Sequence, residues 1–227
     1  MLIETSKLTK NVVINSKEKH TILFPFSYNF PNTGLVSICG ESGSGKSTLL
    51  NILSLMDNQF DGKYFFDGVD IKKLSYKKKR RLLLKNIGIV FQSYHLFENQ
   101  SVIFNVMLPS LMVGDNKHLA KEKATKLLKS ININDELFNK KTSLLSGGEK
   151  QRIAVLRSLI NNPRVLFADE PTGALDSENS TLIMEMFKDF AYMEFSFSGT
   201  GLRILFKSNV VINDYAKKEK IKYDNRK

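Results

Sequence analysis

Gly40-Glu-Ser-Gly-Ser-Gly-Lys-Ser-Thr48 has the spacing G-x-x-x-x-G-K-[ST]. The apolar run Leu35-Val-Ser-Ile-Cys39 before it predicts a buried strand, and Leu49-Leu-Asn-Ile-Leu53 after it predicts the start of a helix. Gly40, Gly43 and Gly45 let the backbone wrap closely around a phosphate with no Cβ in the way. Exposed N–H groups and the positive end of the helix would hold the anion. Lys46 is expected to reach the terminal phosphates and Ser47 to sit on Mg²⁺, with Glu41, Ser42, Ser44 and Thr48 completing the cradle. A plain glycine turn between strand and helix would not need Lys and Ser at these positions.

Strands alternating with helices argue for an α/β core around this bend. Ile87-Gly-Ile-Val-Phe91 and Val165-Leu-Phe-Ala168 read as buried strands, and Ser75–Lys85, Lys117–Ile131 and Glu178–Phe190 as helices. Residues 1–34 read as a small antiparallel sheet interrupted at Pro25, and Tyr64-Phe-Phe66 before Asp67-Gly68 as a strand ending in a turn. Arg203–Phe206 is a weak strand candidate, as are Glu194–Phe197 and Asn209–Ile212, and Asp214–Lys227 reads as a charged, helical or frayed tail.

The composition bounds the setting. The 227 residues, 42% hydrophobic, suit one large domain. Cys39 is the single cysteine, so no internal disulfide forms, and a buried inert thiol is expected. No apolar run approaches the ~18–20 residues of a membrane span, and the first seven residues lack a signal-peptide core. A cytoplasmic or membrane-peripheral protein is expected. The net charge of +11 is concentrated in Lys77-Lys-Lys-Arg-Arg81 and Lys217-Lys-Glu-Lys220. No aromatics interleave the first cluster, so a solvated face is favoured and no nucleic-acid partner is expected.

Two further motifs carry chemistry. Asp169 and Glu170 end an apolar strand, where acids are costly unless they bind a metal or accept hydrogen bonds. Asp169 suits Mg²⁺, and Glu170 suits orienting and deprotonating the attacking water. In Leu145-Ser-Gly-Gly-Glu-Lys-Gln-Arg152, Ser146 is a predicted N-cap with Glu149 as its capping-box partner. Gly147 and Gly148 would complete a second anion site, which makes sense if it serves another molecule's nucleotide.

With these motifs in order, the chain resembles the ATPase subunit of ABC (ATP-binding cassette) transporters over about residues 1 to 190. The resemblance rests on Gly40–Thr48, Gln92 in Val90-Phe-Gln92, Leu145-Ser-Gly-Gly-Glu149, Val165–Glu170 and Ala174-Leu-Asp176. It implies a P-loop NTPase core with a mainly parallel sheet, a small N-terminal antiparallel β subdomain and an inserted α-helical subdomain at about 93–160. It implies one cassette over 1–227 with an atypical segment at about 191–227. It also implies a head-to-tail dimer, homo- or heteromeric, with ATP between one subunit's phosphate loop and the partner's Ser146 and Gly148. Gln92 would sense Mg²⁺ and the attacking water and link to an integral membrane permease, and Asp176 would line the dimer interface. Glu170-Pro-Thr-Gly-Ala-Leu-Asp-Ser177 resembles the export branch for lipoproteins, macrolides and antimicrobial peptides.

Two family features are missing. Asn11-Val12-Val13 stands where an adenine-stacking aromatic is expected, and the histidines are His20, His95 and His118, with none near residue 200 for the switch position. A diverged C-terminal segment and a reading-frame shift near residue 190 both account for that. A cassette that binds ATP but hydrolyses it poorly stays open as an alternative. A soluble cassette of translation or DNA repair fits less well: the chain holds one cassette, and Lys46 to Ser146 leaves no room for a long coiled coil.

Overall fold

The computed structural model describes residues 1–15, 18–32, 34–39, 43–131, 133–169, 202–206 and 219–222. Strands β1 (Ile3–Asn15), β2 (Glu18–Phe30), β4 (Asp61–Phe66) and β5 (Val69–Asp70) form an antiparallel sheet in the order β2-β1-β4-β5. Alternating residues such as Ile3, Thr5, Leu23, Phe30, Tyr64 and Phe66 turn into the core. Asp67 and Gly68, at φ 52° and 72°, make the two-residue β4–β5 turn that an Asp-Gly pair favours.

Contrary to the expected interruption, Pro25 lies inside β2. The strand is at the sheet edge, and Pro25 sits where the β1–β2 register shifts between Leu8↔Phe26 and Lys10↔Leu23. A residue without an N–H is tolerated there because the ladder requires no bond from it. A neighbouring register shift, between Thr5 and Leu8, bulges β1 at Lys7 (φ 50°), where a Cβ on Gly62 would stand 2.1 Å from the Lys7 carbonyl oxygen.

The second sheet has the order β6-β7-β8-β3-β9, with β3 (Gly34–Cys39), β6 (Ile87–Val90), β7 (Val165–Asp169), β8 (Leu202–Phe206) and β9 (Glu219–Lys222). β6 pairs parallel with β7 and β3 with β9, whereas β8 runs antiparallel to both β7 and β3. Four strands therefore share one direction. The strand at 219–222 corrects the expected helical or frayed tail: the open edge of β3 offers main-chain partners whatever the side-chain charge, and lysines suit an edge strand. The candidates at 194–197 and 209–212 and the helix at 178–190 lie outside the described residues.

Helix α1 (Lys46–Leu53) buries Leu49, Leu50, Ile52 and Leu53 between the sheets. The antiparallel sheet holds it at both ends. Ile22 of β2 closes over Gly45, and the buried Tyr64 hydroxyl donates to the Leu53 carbonyl at 2.6 Å. Just beyond the helix, Lys10 pairs with Asp57 at 2.8 Å. Helix α2 (Tyr76–Asn86) leads into β6. Between β6 and β7, α3 (Val102–Val113), α4 (Lys117–Ser130) and α5 (Gly147–Leu159) surround a separate core that includes Val106, Met107, Ala124, Leu128, Ile153 and Leu156. No helix among the described residues is long and apolar enough to cross a membrane.

Candidate functional site

The bend between β3 and α1 is described from Gly43 onward, so Gly40, Glu41 and Ser42 lie outside the described residues. Gly45 has φ 89°, and a Cβ there would stand 2.8 Å from the Ile22 carbonyl oxygen. Only glycine fits both the backbone angle and the space. The Ser44 hydroxyl is buried and has no hydrogen-bond partner among the described residues. A buried polar atom left in that state is costly, and the cost is removed by a polar ligand. Gly45 caps α1 without a side-chain acceptor, and the first turn holds no acid. The leading N–H groups of Lys46, Ser47 and Thr48 thus open toward the bend, an arrangement suited to an anion.

Asp169 ends β7 half-buried. Burial pushes its carboxyl above the ordinary carboxylate range, and the Lys46 ammonium partly opposes that rise. Lys46 and Asp169 therefore share one electrostatic neighbourhood at the strand–helix junction. Glu170 and Asp176 lie outside the described residues. Val12 is half-buried on β1 opposite His20, and exposed Val13 is opposite Lys19.

Gln92 is exposed just past β6, and the turn after it is unusual. Tyr94 and His95 both have left-handed backbones, at φ 59° and 48°. Such consecutive non-glycine residues persist where their surroundings over-determine them. Here Arg157 of α5 does so, donating from Nη2 to the Tyr94 carbonyl at 2.7 Å and from Nη1 to the His95 carbonyl. Burial lowers the guanidinium pKa to about 10. The His95 ring lies 4.7 Å from that of Phe91, and its Nε2 is 2.9 Å from the Ser93 hydroxyl.

The same turn abuts the start of α5. The Tyr94 hydroxyl lies 3.4 Å from where a Cβ on Gly147 would stand, and Lys150 pairs with Glu98 at 3.5 Å. At the helix start the expected capping box is present. The Ser146 N–H donates to Glu149 Oε2 at 2.8 Å, and the Ser146 hydroxyl donates to that oxygen at 2.7 Å. The Glu149 N–H returns a bond to Ser146 Oγ at 3.3 Å. The Ser146 hydroxyl and then the Ser146 N–H hold the Glu149 carboxyl below its ordinary range. Gly147 and Gly148 follow in the first turn with no Cβ to screen their N–H groups.

The described candidate residues thus gather in two groups: Gly43–Thr48 with Asp169, and the turn after Gln92 with Ser146–Gly148. Sequence reasoning passed over Arg157. Its signal is an arginine among the apolar residues of Ala154-Val-Leu-Arg-Ser-Leu159, which is weak because the bonded carbonyls lie some sixty residues away.

The ABC transporter family model matches residues 23–173. The chain is 44% identical over 180 residues to the lipoprotein-releasing system ATP-binding protein LolD of Wigglesworthia glossinidia brevipalpis, covering 79% of this chain and 78% of that protein. It is 36% identical over 189 residues to the macrolide export ATP-binding/permease protein MacB of Vibrio parahaemolyticus, covering 83% of this chain but 29% of that longer protein. Among solved structures, a dimeric ATP-binding cassette in a post-hydrolysis state bound to ADP and Pi superposes with TM-score 0.75 at 32% identity, covering 83% and 82% of the two chains.

Proposed function

The chain belongs to the ABC transporter family, and from that premise we propose that it is the ATP-binding subunit of an exporter. It hydrolyses ATP to drive a substrate through an integral membrane permease, as a dimer, from the cytoplasmic face of the membrane. Residues 1–227 form one cassette, with a helical subdomain at about 93–160 and an atypical end at about 191–227. The observation that carries the reading is the bend itself: a buried hydroxyl without a partner among the described residues, a glycine admitting no Cβ, and a helix with no side-chain cap among them, whose first residue is Lys46 in the electrostatic neighbourhood of Asp169.

In this scheme Gly40–Thr48 bind the phosphates, and Lys46 neutralises the terminal ones. Mg²⁺ belongs to the same proposal. Ser47, Asp169 and Gln92 all offer the oxygen ligands this ion takes, and a nearby cation would relieve the burial penalty on the Asp169 carboxylate. When bound, the ion neutralises charge on the phosphate oxygens. Glu170 acts as the base toward water. Ser146, Gly147 and Gly148 complete the partner's site, and Asp176 lines the interface. To contact a γ-phosphate, the Ser146 hydroxyl must turn its proton away from Glu149, so the cap holds it in reserve until a nucleotide arrives.

A second reading has an observation in its favour. The histidines stop at His118, so the chain's own site can bind ATP and hydrolyse it poorly, while its Ser146 helix supports hydrolysis at a partner's site. Titration calorimetry with Mg-ATP, followed by steady-state ATPase with and without the permease, tests both readings. Binding with permease-stimulated turnover supports the transport ATPase. Binding without turnover in the homodimer, restored by a second cassette, supports the other. No heat from well-folded protein defeats both.

A further inference from the structure

The basic helix α2 remains outside the function so far. Between Asp70 and Glu98 there is no acidic residue, yet eight cations stand there: Lys72, Lys73, the run Lys77–Arg81, and Lys85. Lys77, Lys78, Arg80 and Arg81 are exposed, and none of the run joins an ion pair among the described residues. Within the helix the arrangement is unfavourable twice over. Lys77 and Lys78 occupy the first turn, where the helix dipole opposes positive charge and no acid is present. Lys77 and Arg81, like Arg81 and Lys85, are like charges one turn apart. Leu82 and Leu83 pack on the main core, leaving the cations on the outward side. Among the described residues Lys85 has an acid near it, Asp115, and an anionic surface outside the chain would compensate the run Lys77–Arg81.

We propose that the exposed face of α2 docks on the anionic lipid headgroups of the bilayer beside the permease; this rests on the reading that the chain works next to an integral membrane subunit. Two features favour lipid over a protein partner. The face is a convex run of charge, Lys77, Lys78, Arg80 and Arg81, with no apolar centre, and the centres of protein–protein interfaces are depleted of charged residues. Fluid headgroups need no fixed geometry, and each cation adds its share of attraction. Tyr76, 77% exposed at the start of the helix, brings the amphipathic ring that membrane interfaces favour.

The test uses the full chain without the permease, sedimented with vesicles of phosphatidylcholine alone or mixed with phosphatidylglycerol, at low and high salt. Wild type should bind the anionic vesicles, release in salt and ignore the neutral ones. The variant Lys77→Gln/Lys78→Gln/Arg80→Gln/Arg81→Gln should bind roughly tenfold or more weakly while melting no lower than wild type. The same number of changes on α4 (Lys117→Gln/Lys121→Gln/Lys126→Gln/Lys129→Gln) should preserve binding. Absent binding, equal binding to neutral vesicles, or equal loss in both variants overturns the proposal. So does binding that needs the permease in neutral lipid and is lost in the α2 variant, which assigns the face to an acidic stretch of that protein. Nucleotide binding measured on the same preparations separates this outcome from failure of the ATPase reading.

Discussion

Helices α1 and α5 both begin at a bend able to receive an anion, yet only α5 supplies its own acceptor. Ser146 and Glu149 close three hydrogen bonds on each other, whereas Gly45 brings no side chain and Ser44 is left unpartnered among the described residues. The difference teaches where each helix finds its stability. The α5 start is complete before any ligand comes, and the α1 start has no side-chain acceptor among the described residues. The acids beside them are shifted in opposite directions for different reasons: Asp169 is raised by burial, and Glu149 is lowered by bonds it already has.

The largest expected effect is on the open start. Lys46→Ala should weaken Mg-ATP binding by roughly a hundredfold or more in calorimetry, since a charged hydrogen-bond partner is lost, and should leave thermal stability nearly unchanged. If Lys46→Ala binds like wild type, the α1 bend is not the nucleotide site and the comparison fails. Arg157→Ala should cost about 2 kcal/mol in denaturant unfolding, because two turn carbonyls lose their donor. Arg157→Lys should recover only part of it, since an ammonium cannot reproduce the fork. Gly45→Ala should cost about as much, through its left-handed backbone and the Ile22 carbonyl.

Ser146→Ala should cost about 1 kcal/mol, the usual value of an N-cap. The pH dependence sharpens the contrast. Glu149 has a lowered folded pKa, so its stabilisation is present above the ordinary glutamate range and is lost as pH falls through the folded value. The melting gap between wild type and Glu149→Ala should therefore narrow on acidification. Asp169 has a raised folded pKa, so its ionised form costs stability at neutral pH. Asp169→Asn should melt higher than wild type at pH 7 and lose that gain in acid. The two variants should thus lie on opposite sides of wild type at pH 7 and converge on it in acid; variants that both melt below wild type at pH 7 would remove the distinction between the two starts.

What was legible in the sequence was local. The start of α1 after Gly45, the α2 helix, the Asp67-Gly68 turn and the Ser146–Glu149 box each depend on residues a few positions apart, and each is in the structure where spacing put it. What escaped depends on distant partners. Pro25 is acceptable because β2 is an edge, and 219–222 is a strand because β3 has a side to share. Arg157 matters because a turn sixty residues earlier presents two carbonyls. None of these is visible to a window of neighbouring residues.

The antiparallel sheet grips α1 at Gly45 through Ile22 and at Leu53 through Tyr64. That makes β2 and β4 together a splint for the helix and the bend before it rather than an ornament of the domain. Trimming β1 and β2 to obtain a minimal nucleotide-binding fragment would leave the helix fastened at its Leu53 end alone. A bulky fusion at the amino terminus that prised β2 away would act as an inhibitor without ever approaching the nucleotide.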